Sequence, residues 1–465
     1  MKYTLCLLLC IAMTLAAEAN QQPPSESILV CKDQPQGTRC SFESPKGEES
    51  GTCEYTPDGT YFSCRPERGN DESRPEGTPD QPTQPTYSTT QAIADETQLN
   101  TIAFAALSFM SADLCDMSFL PPGKHASYFG FQYLRDVIGG AEGHGQNFVP
   151  KVANNLLSIL NDEQERILIE LAEQQTEKIM RFAEMRFPLL IAFERYANNT
   201  LPEGMSQLNR SSIVQHSADL YALDGELSYE RAVGFGNVVQ SFSDAQKHAL
   251  EELTANAFHA WPEHEEQVDK RTLEHDVHIA LMTYASELLS WYTGDVERDM
   301  YFTPERTAAY FGAYWTKAAP MKAVKRDDYT ISTDLTGDSG KSFLSMLDEQ
   351  QQKRISDVIQ QQKAYLMKMV EVRTSIATEI RKMVIGQTID AEKIMNLSRT
   401  FGELDGEIAY LYATAYTDVR QSLTISQMEK AVALRNISEY QCDKVFLYAE
   451  PADVPDVNDI ERFFQ

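Results

Sequence analysis

LDGELSYERAVGFGNVVQSFSDAQ, residues 223–246, returns later in the chain as LDGEIAYLYATAYTDVRQSLTISQ, residues 404–427. Ten of the twenty-four aligned positions are identical. In the second string apolar residues recur every three or four positions, which is the period of one helix face. Gly225 and Gly406 lie beside this stripe, where the lack of a Cβ atom lets a neighbouring helix approach closely. The strings therefore predict two tightly packed helices.

The two strings belong to a longer duplication. The segments that begin at Asp116, Gly143 and Ile159 match later segments in the same order. Self-similarity at a fixed offset is the signature of a repeated structural unit. We predict a mainly α protein with two tandem homologous helical-bundle units, preceded by a small disulfide-stapled, β-rich module.

Composition divides the chain into seven predicted segments. They are a signal peptide at 1–19, a Cys-rich module at 28–66, a disordered linker at 67–92, helical unit 1 at 93–256, a His-rich connector at 257–295, helical unit 2 at 296–448 and a tail at 449–465. The signal peptide has a basic Lys2, an apolar run and a small-x-small cleavage site. Because Leu9 before Cys10 does not suit lipoprotein cleavage, no lipid anchor is expected. We predict a secreted or periplasmic protein.

Six cysteines remain after the signal peptide, and an oxidising compartment favours disulfides. Four of them lie in the module, which is too small to bury much core without covalent support. These are Cys31, Cys40, Cys53 and Cys64, and the sequence leaves three pairings open. Cys115 opens unit 1 and Cys442 closes unit 2, so we predict a disulfide between them. The module is either a cap or a binding element.

The chain is strongly acidic, with 69 acidic and 41 basic residues and a net charge of −28. Its field repels polyanions such as DNA, RNA and anionic lipid. No nucleic-acid partner and no membrane insertion are therefore expected.

A short pattern occurs twice in each unit: an apolar residue, a capping residue, and Gln three positions later. In a capping box the first side chain accepts from a free backbone N–H, and Gln reaches back to the cap's own N–H. The four pairs are Asn161 with Gln164, Ser243 with Gln246, Asp348 with Gln351, and Thr424 with Gln427. Each pair predicts a helix start.

Two L-T-x-x-Q-like starts per unit, in an exported helical chain rich in Met and Gln, resemble the Spy/CpxP group of periplasmic helical proteins (the LTxxQ-motif group), here as a tandem duplication. Members of that group are small cradle-shaped helical bundles that act as ATP-independent chaperones or stress regulators, and related forms bind metal. The resemblance covers the helix starts of both units. This chain is longer than those proteins, and it is acidic where a chaperone cradle is expected to be basic.

Histidines cluster in the connector. His275 and His278 are three residues apart and would share a helix face, with Glu274 nearby and His264 earlier. Two imidazoles and a carboxylate can hold Zn²⁺ or Cu²⁺. The competing interpretation, which we favour, is the solvated face of a polar helix between the units. A divalent metal is the only cofactor that the sequence suggests.

No motif for nucleophilic, haem or dinucleotide chemistry occurs in the sequence. We therefore predict a protein that is not an enzyme. Its expected function is to bind a polypeptide client, as the resemblance to the Spy/CpxP group implies. The alternative is an exported metal- or small-ligand-binding protein that uses the His-rich connector or two predicted aromatic-rich helices, at residues 128–133 and 310–315.

Overall fold

The structure is a computed structural model, and it describes residues 25–32, 34–44, 47–55, 61–66, 93–111, 148–256, 260–265, 267–269, 271–294, 296, 337–435, 445–446, 451–452 and 455–465. The chain forms two compact units, Met1–Gln84 and Pro85–Gln465. The predicted signal peptide, the linker at 67–92, Cys115 and Cys442 lie outside the described residues. The Cys115–Cys442 disulfide therefore stays a prediction.

The first unit contains a short helix and a three-stranded antiparallel sheet in the order β1-β2-β3. These elements are α1 (Ser25–Leu29), β1 (Arg39–Ser44), β2 (Gly47–Tyr55) and β3 (Phe62–Pro66). Disulfides join Cys31 to Cys53 and Cys40 to Cys64, with Cα–Cα distances of 5.4 and 5.9 Å. Three of these cysteines are buried together with Phe42. The predicted disulfide-stapled β-rich module is confirmed, with one of the three possible pairings.

The described residues of the second unit form two runs of five α-helices. The first run is α2 (Asp95–Met110), α3 (Phe148–Leu157), α4 (Asp162–Ala197), α5 (Arg210–Gln240) and α6 (Asp244–Ala255). The second run is α7 (His275–Thr293), α8 (Gly337–Met346), α9 (Glu349–Arg381), α10 (Ala391–Ser422) and α11 (Ile425–Arg435). A 3-10 turn, Lys382–Ile385, follows α9. The mainly α fold class is confirmed; the duplication itself stays an inference from sequence.

Helices α5 and α10, which carry the two strings, form the central contact of the unit. A Cβ added to Gly225 of α5 would lie 2.6 Å from Cβ of Ser398 in α10. A Cβ added to Gly406 of α10 would lie 2.7 Å from Cα of Val214 in α5. Both distances are shorter than carbon atoms tolerate, so each glycine is needed for the close approach that the sequence predicts.

The first helix of each run packs on the other run. Helix α2 packs against α8 and α9, whereas α7 packs against α3 and α4. The predicted boundaries of the helical units, 93–256 and 296–448, follow the sequence repeat and place α2 in unit 1. The packing instead forms one bundle from α3 to α7 and another from α2 with α8 to α11. The helix exchange therefore interlocks the two runs.

The packing of α7 also corrects the view of residues 257–295 as a polar connector. Ala280, Leu281, Tyr284 and Leu288 are completely buried, and Trp291 is 1% exposed. The ring of Phe235 in α5 contacts both Tyr284 and Trp291. The histidine-rich sequence before and at the start of α7 hides this apolar face, because the buried residues of α7 itself begin only at Val277.

The described part of the predicted tail at 449–465 includes residues that pack against the helices. Pro451–Ala452 (β5) pairs with Val445–Phe446 (β4). A 3-10 helix, Ile460–Phe463, follows, and Phe464 forms an antiparallel bridge with Leu208 in the turn between α4 and α5. Among the helices of the described residues, none has the length and apolar character needed to cross a membrane.

Candidate functional site

All four predicted helix starts form as expected. Helices α4, α6 and α9 each begin with a complete capping box. At the start of α11, the Gln427 N–H donates to the Thr424 hydroxyl at 3.2 Å, and the Thr424 N–H donates to Gln427 Oε1 at 2.9 Å. The capping residues therefore satisfy backbone groups that would otherwise lack partners at these helix starts.

In the first run the two capping glutamines also contact each other. Gln246 Nε2 donates to Gln164 Oε1 at 2.6 Å and to the Ile159 carbonyl at 2.9 Å. Gln164 Nε2 donates to the Ser241 hydroxyl at 2.9 Å. One pair of amides thus joins the starts of α4 and α6 to the end of α5.

The second run repeats this arrangement. Gln427 Nε2 donates to Gln351 Oε1 and to the Met346 carbonyl, both at 2.9 Å. Gln351 Nε2 donates to the Ser422 carbonyl at 3.0 Å. The LTxxQ-like glutamines therefore link neighbouring helix ends by hydrogen bonds, in a contact here called the glutamine clasp. The three-residue spacing of the capping box does not by itself predict this contact.

Replacing Gln351 by alanine is expected to lower the free energy of unfolding by about 1–2 kcal/mol, because a cap and a mostly buried amide pair are lost together. The matched control is Gln361→Ala, an exposed glutamine on the same helix. Its effect should stay within about 0.5 kcal/mol. Urea denaturation measures the free energy of unfolding of both variants. Equal losses in the two would show that the contact between Gln351 and Gln427 does not stabilise the fold.

A buried glutamine at the centre of each bundle escaped the sequence analysis. Gln175 of α4 is completely buried; its Oε1 accepts from the Tyr284 hydroxyl of α7 at 2.5 Å. Gln362 of α9 is 1% exposed and donates to Gln98 of α2 at 2.8 Å. Each glutamine binds the exchanged helix. The sequence did contain a signal for these buried glutamines: in both runs a Gln follows the capping-box Gln at the same distance and interrupts the apolar stripe of the helix.

Two carboxylates of the second string, Asp405 and Glu407, are held in structural contacts. Asp405 accepts a hydrogen bond from the Ser217 hydroxyl at 2.7 Å and is 1% exposed. Glu407 pairs with Arg210 at 2.6 Å across α5 and α10. These contacts support helix packing and do not indicate a pair of reactive acids.

The structure does not gather the predicted metal ligands. His278 is buried, whereas His264, Glu274 and His275 are exposed. Within the part of the chain that the structure describes, the one group of three potential ligand atoms close together consists of Cys31, Cys40 and Cys64, and these cysteines form disulfides. The described geometry therefore gives no support to a metal site in the connector.

Helix α11 presents an apolar face to solvent. Ile425 is 81% exposed and Val432 is 47% exposed, and Met428 lies between them at helical spacing. Ala431, beside this face, is completely buried. At the aligned positions of α6 the residues are instead Asp244, Lys247 and Glu251. The two runs therefore differ in chemistry at this surface, here called the α11 face (Ile425, Met428 and Val432).

Neither the protein-family models, nor the curated proteins, nor the solved structures that were compared with this chain gave a match.

Proposed function

We propose that this protein is an exported, non-catalytic helical protein that binds apolar segments of polypeptide clients without ATP. The observation that carries the proposal is the α11 face. Among the described residues, Ile425 is the most exposed large apolar side chain, and Val432 is exposed on the same face two turns later. An apolar surface that folding leaves uncovered is typical of a site for a partner.

The charge of the chain supports the same function. A net charge of −28 keeps a protein with an exposed apolar face soluble, because copies of the chain repel one another. The α11 face begins at the Thr424–Gln427 helix start, which carries the resemblance to the Spy/CpxP group. We accordingly extend the proposal to a chaperone-like or stress-related binding protein, formed by tandem duplication of a helical bundle.

The test is suppression of aggregation. The full chain, at a molar amount equal to that of a chemically denatured client, should reduce light scattering after dilution of the client from denaturant, with no ATP present. Ile425→Asp combined with Val432→Asp should weaken client binding about tenfold, because removing apolar contacts worth about 1.4 kcal/mol changes an equilibrium tenfold. The variant would then need about ten times more protein for the same effect.

The matched control adds two negative charges to α6 instead. Ala245→Asp with His248→Asp changes two exposed positions of the corresponding helix. This control should retain full suppression. If both variants lost the same amount of suppression, the added negative charge would be the cause. If the unmodified chain did not suppress aggregation, the proposed function would be wrong.

A further inference from the structure

Residues Ile460–Gln465, here called the docked segment, are bound by the turn between α4 and α5 as a peptide ligand would be. The Asn209 N–H donates to the Phe463 carbonyl at 2.6 Å, and the Gln465 N–H donates to the Gln207 carbonyl at 2.9 Å. Backbone pairing of this kind is how many proteins hold extended peptides. The surface of α4, α5 and their turn that the segment covers is here called the groove.

Apolar side chains anchor the docked segment. Phe463 is completely buried, Phe464 is 3% exposed and Ile460 is 4% exposed. The Phe463 ring meets the His216 ring of α5 edge to face, with centroids 5.3 Å apart. Backbone pairing and the burial of two adjacent phenylalanines therefore hold the docked segment in place.

The ring of His216 is held in one protonation state by two neighbours. Its Nε2 lies 2.6 Å from the Met185 carbonyl of α4, which only accepts, so Nε2 carries the proton. Its Nδ1 lies 3.1 Å from Arg462 of the docked segment, which only donates, so Nδ1 must be unprotonated. The contact between groove and segment therefore requires a neutral imidazole.

The charges around His216 come from three elements. Arg462 faces it from the docked segment, where it also lies 4.0 Å from the carboxylate of Asp459, and Asp219 lies one turn further along α5. Asp219 is itself paired with Arg399 of α10 at 2.7 Å. Helix α4 presents the Met185 carbonyl. A proton on Nδ1 would thus replace a hydrogen bond with two positive charges in contact.

Burial lowers the pKa of His216 and Arg462 lowers it further, against the opposing effects of the Met185 carbonyl and Asp219. Because the folded pKa lies below the ordinary value of 6.5, docking is fully stabilised above that value. This stabilisation is lost as the pH falls through the lower pKa of the folded form.

We propose that the groove is a peptide-binding site for extended segments in which an acidic residue precedes two aromatic residues, and that the docked segment closes it until protonation of His216 releases Arg462. The charge of the imidazolium selects the ligand: it repels arginine at the position of Arg462 and pairs with a carboxylate there. The site is remote in sequence from the α11 face, so the two can be tested separately.

The experiment measures fluorescence anisotropy of two labelled peptides with the full chain at pH 7.5 and pH 5.0. One peptide has the sequence of residues 459–465, and the other has glutamate in place of Arg462. The unmodified chain should bind neither peptide at pH 7.5. At pH 5.0 it should bind the glutamate peptide at least about tenfold more tightly than the arginine peptide, the ratio expected for exchanging a repulsive for an attractive charge contact.

Two variants of the full chain decide the outcome, with circular dichroism to show that each is folded. His216→Gln keeps a donor for Met185 and an acceptor for Arg462 but does not titrate, so it should bind neither peptide at either pH. Phe463→Ala with Phe464→Ala removes both anchors, so the open groove should bind the arginine peptide at pH 7.5. If His216→Gln bound the glutamate peptide at pH 5.0, protonation of His216 would not be what opens the groove. Failure of the folded double variant to bind the arginine peptide at pH 7.5 would overturn the site.

Discussion

Replacing Gly402 by alanine is expected to lower the free energy of unfolding by about 2–3 kcal/mol, although alanine favours a helix interior over glycine by about 1 kcal/mol. Gly402 lies in α10 against α5. An added Cβ would be 2.5 Å from the Ser217 carbonyl oxygen and 2.8 Å from Cα of Ala218. Both are backbone atoms of a long helix, so neither can move without shifting the central helix pair. Urea unfolding with an unchanged slope measures the loss.

The matched control is Gly234→Ala in α5. Its added Cβ would meet Cδ2 of Leu171 at 2.9 Å, which is the far end of a flexible side chain. A rotation of Leu171 relieves this contact, so we expect a change within about 1 kcal/mol of the unmodified protein. If the Gly402→Ala and Gly234→Ala variants were equally stable, the conclusion that the backbones of α5 and α10 pack closely at Gly402 would be wrong.

The second large effect is expected at the buried ion pair between α5 and α7. Arg231 and Glu287 are 2% and 7% exposed, and their charged atoms lie 3.0 Å apart. Burial has the largest single effect and lowers the pKa of Arg231, but Glu287, Tyr284 and Asp224 together outweigh burial, so the pKa is raised overall. Glu287→Ala leaves the guanidinium buried without this carboxylate. We expect a loss of about 3–5 kcal/mol, the usual result of breaking a buried pair.

Two controls separate this effect from the loss of a side chain. Arg231→Met with Glu287→Leu removes both charges of the pair and should cost less than Glu287→Ala, since no guanidinium is left buried without its carboxylate. Asp357→Ala breaks an exposed pair with Lys353 in α9 and should cost less than about 1 kcal/mol. A mild effect of Glu287→Ala, comparable with that of Asp357→Ala, would show that α7 is not anchored by this pair.

Local features were predictable from sequence. The capping pairs, such as Ser243 with Gln246, depend on residues three apart, and the close contacts of Gly225 and Gly406 follow from the position of glycine beside an apolar stripe. The Cys-rich module was equally predictable, because a short chain with four cysteines has few other ways to fold. Its pairing was not, since connectivity depends on strand register.

The candidate sites could not be predicted from sequence, because they depend on which helices pack together. The spacing of apolar residues shows that α2 has an apolar face, but it does not show which run covers that face. The sequence therefore did not predict that α2 packs on the second run. The exposed positions of the α11 face look like core in sequence, because Ile425 and Val432 have the same spacing as buried residues. Arg462 and His216 are distant in the chain, and nothing in either local sequence indicates that they meet.

The exchanged packing of α2 bears on how this chain folds as it is made. Helix α2 ends at Met110, but α8, on which it packs, begins only at Gly337. A nascent chain therefore presents Ile102, Leu107 and Phe109 uncovered until most of the polypeptide has been synthesised. Contacts so far apart in sequence also slow the search for the native state. The unfinished molecule is thus itself a client for holding factors, and a truncation after the first run leaves α2 without its packing partner.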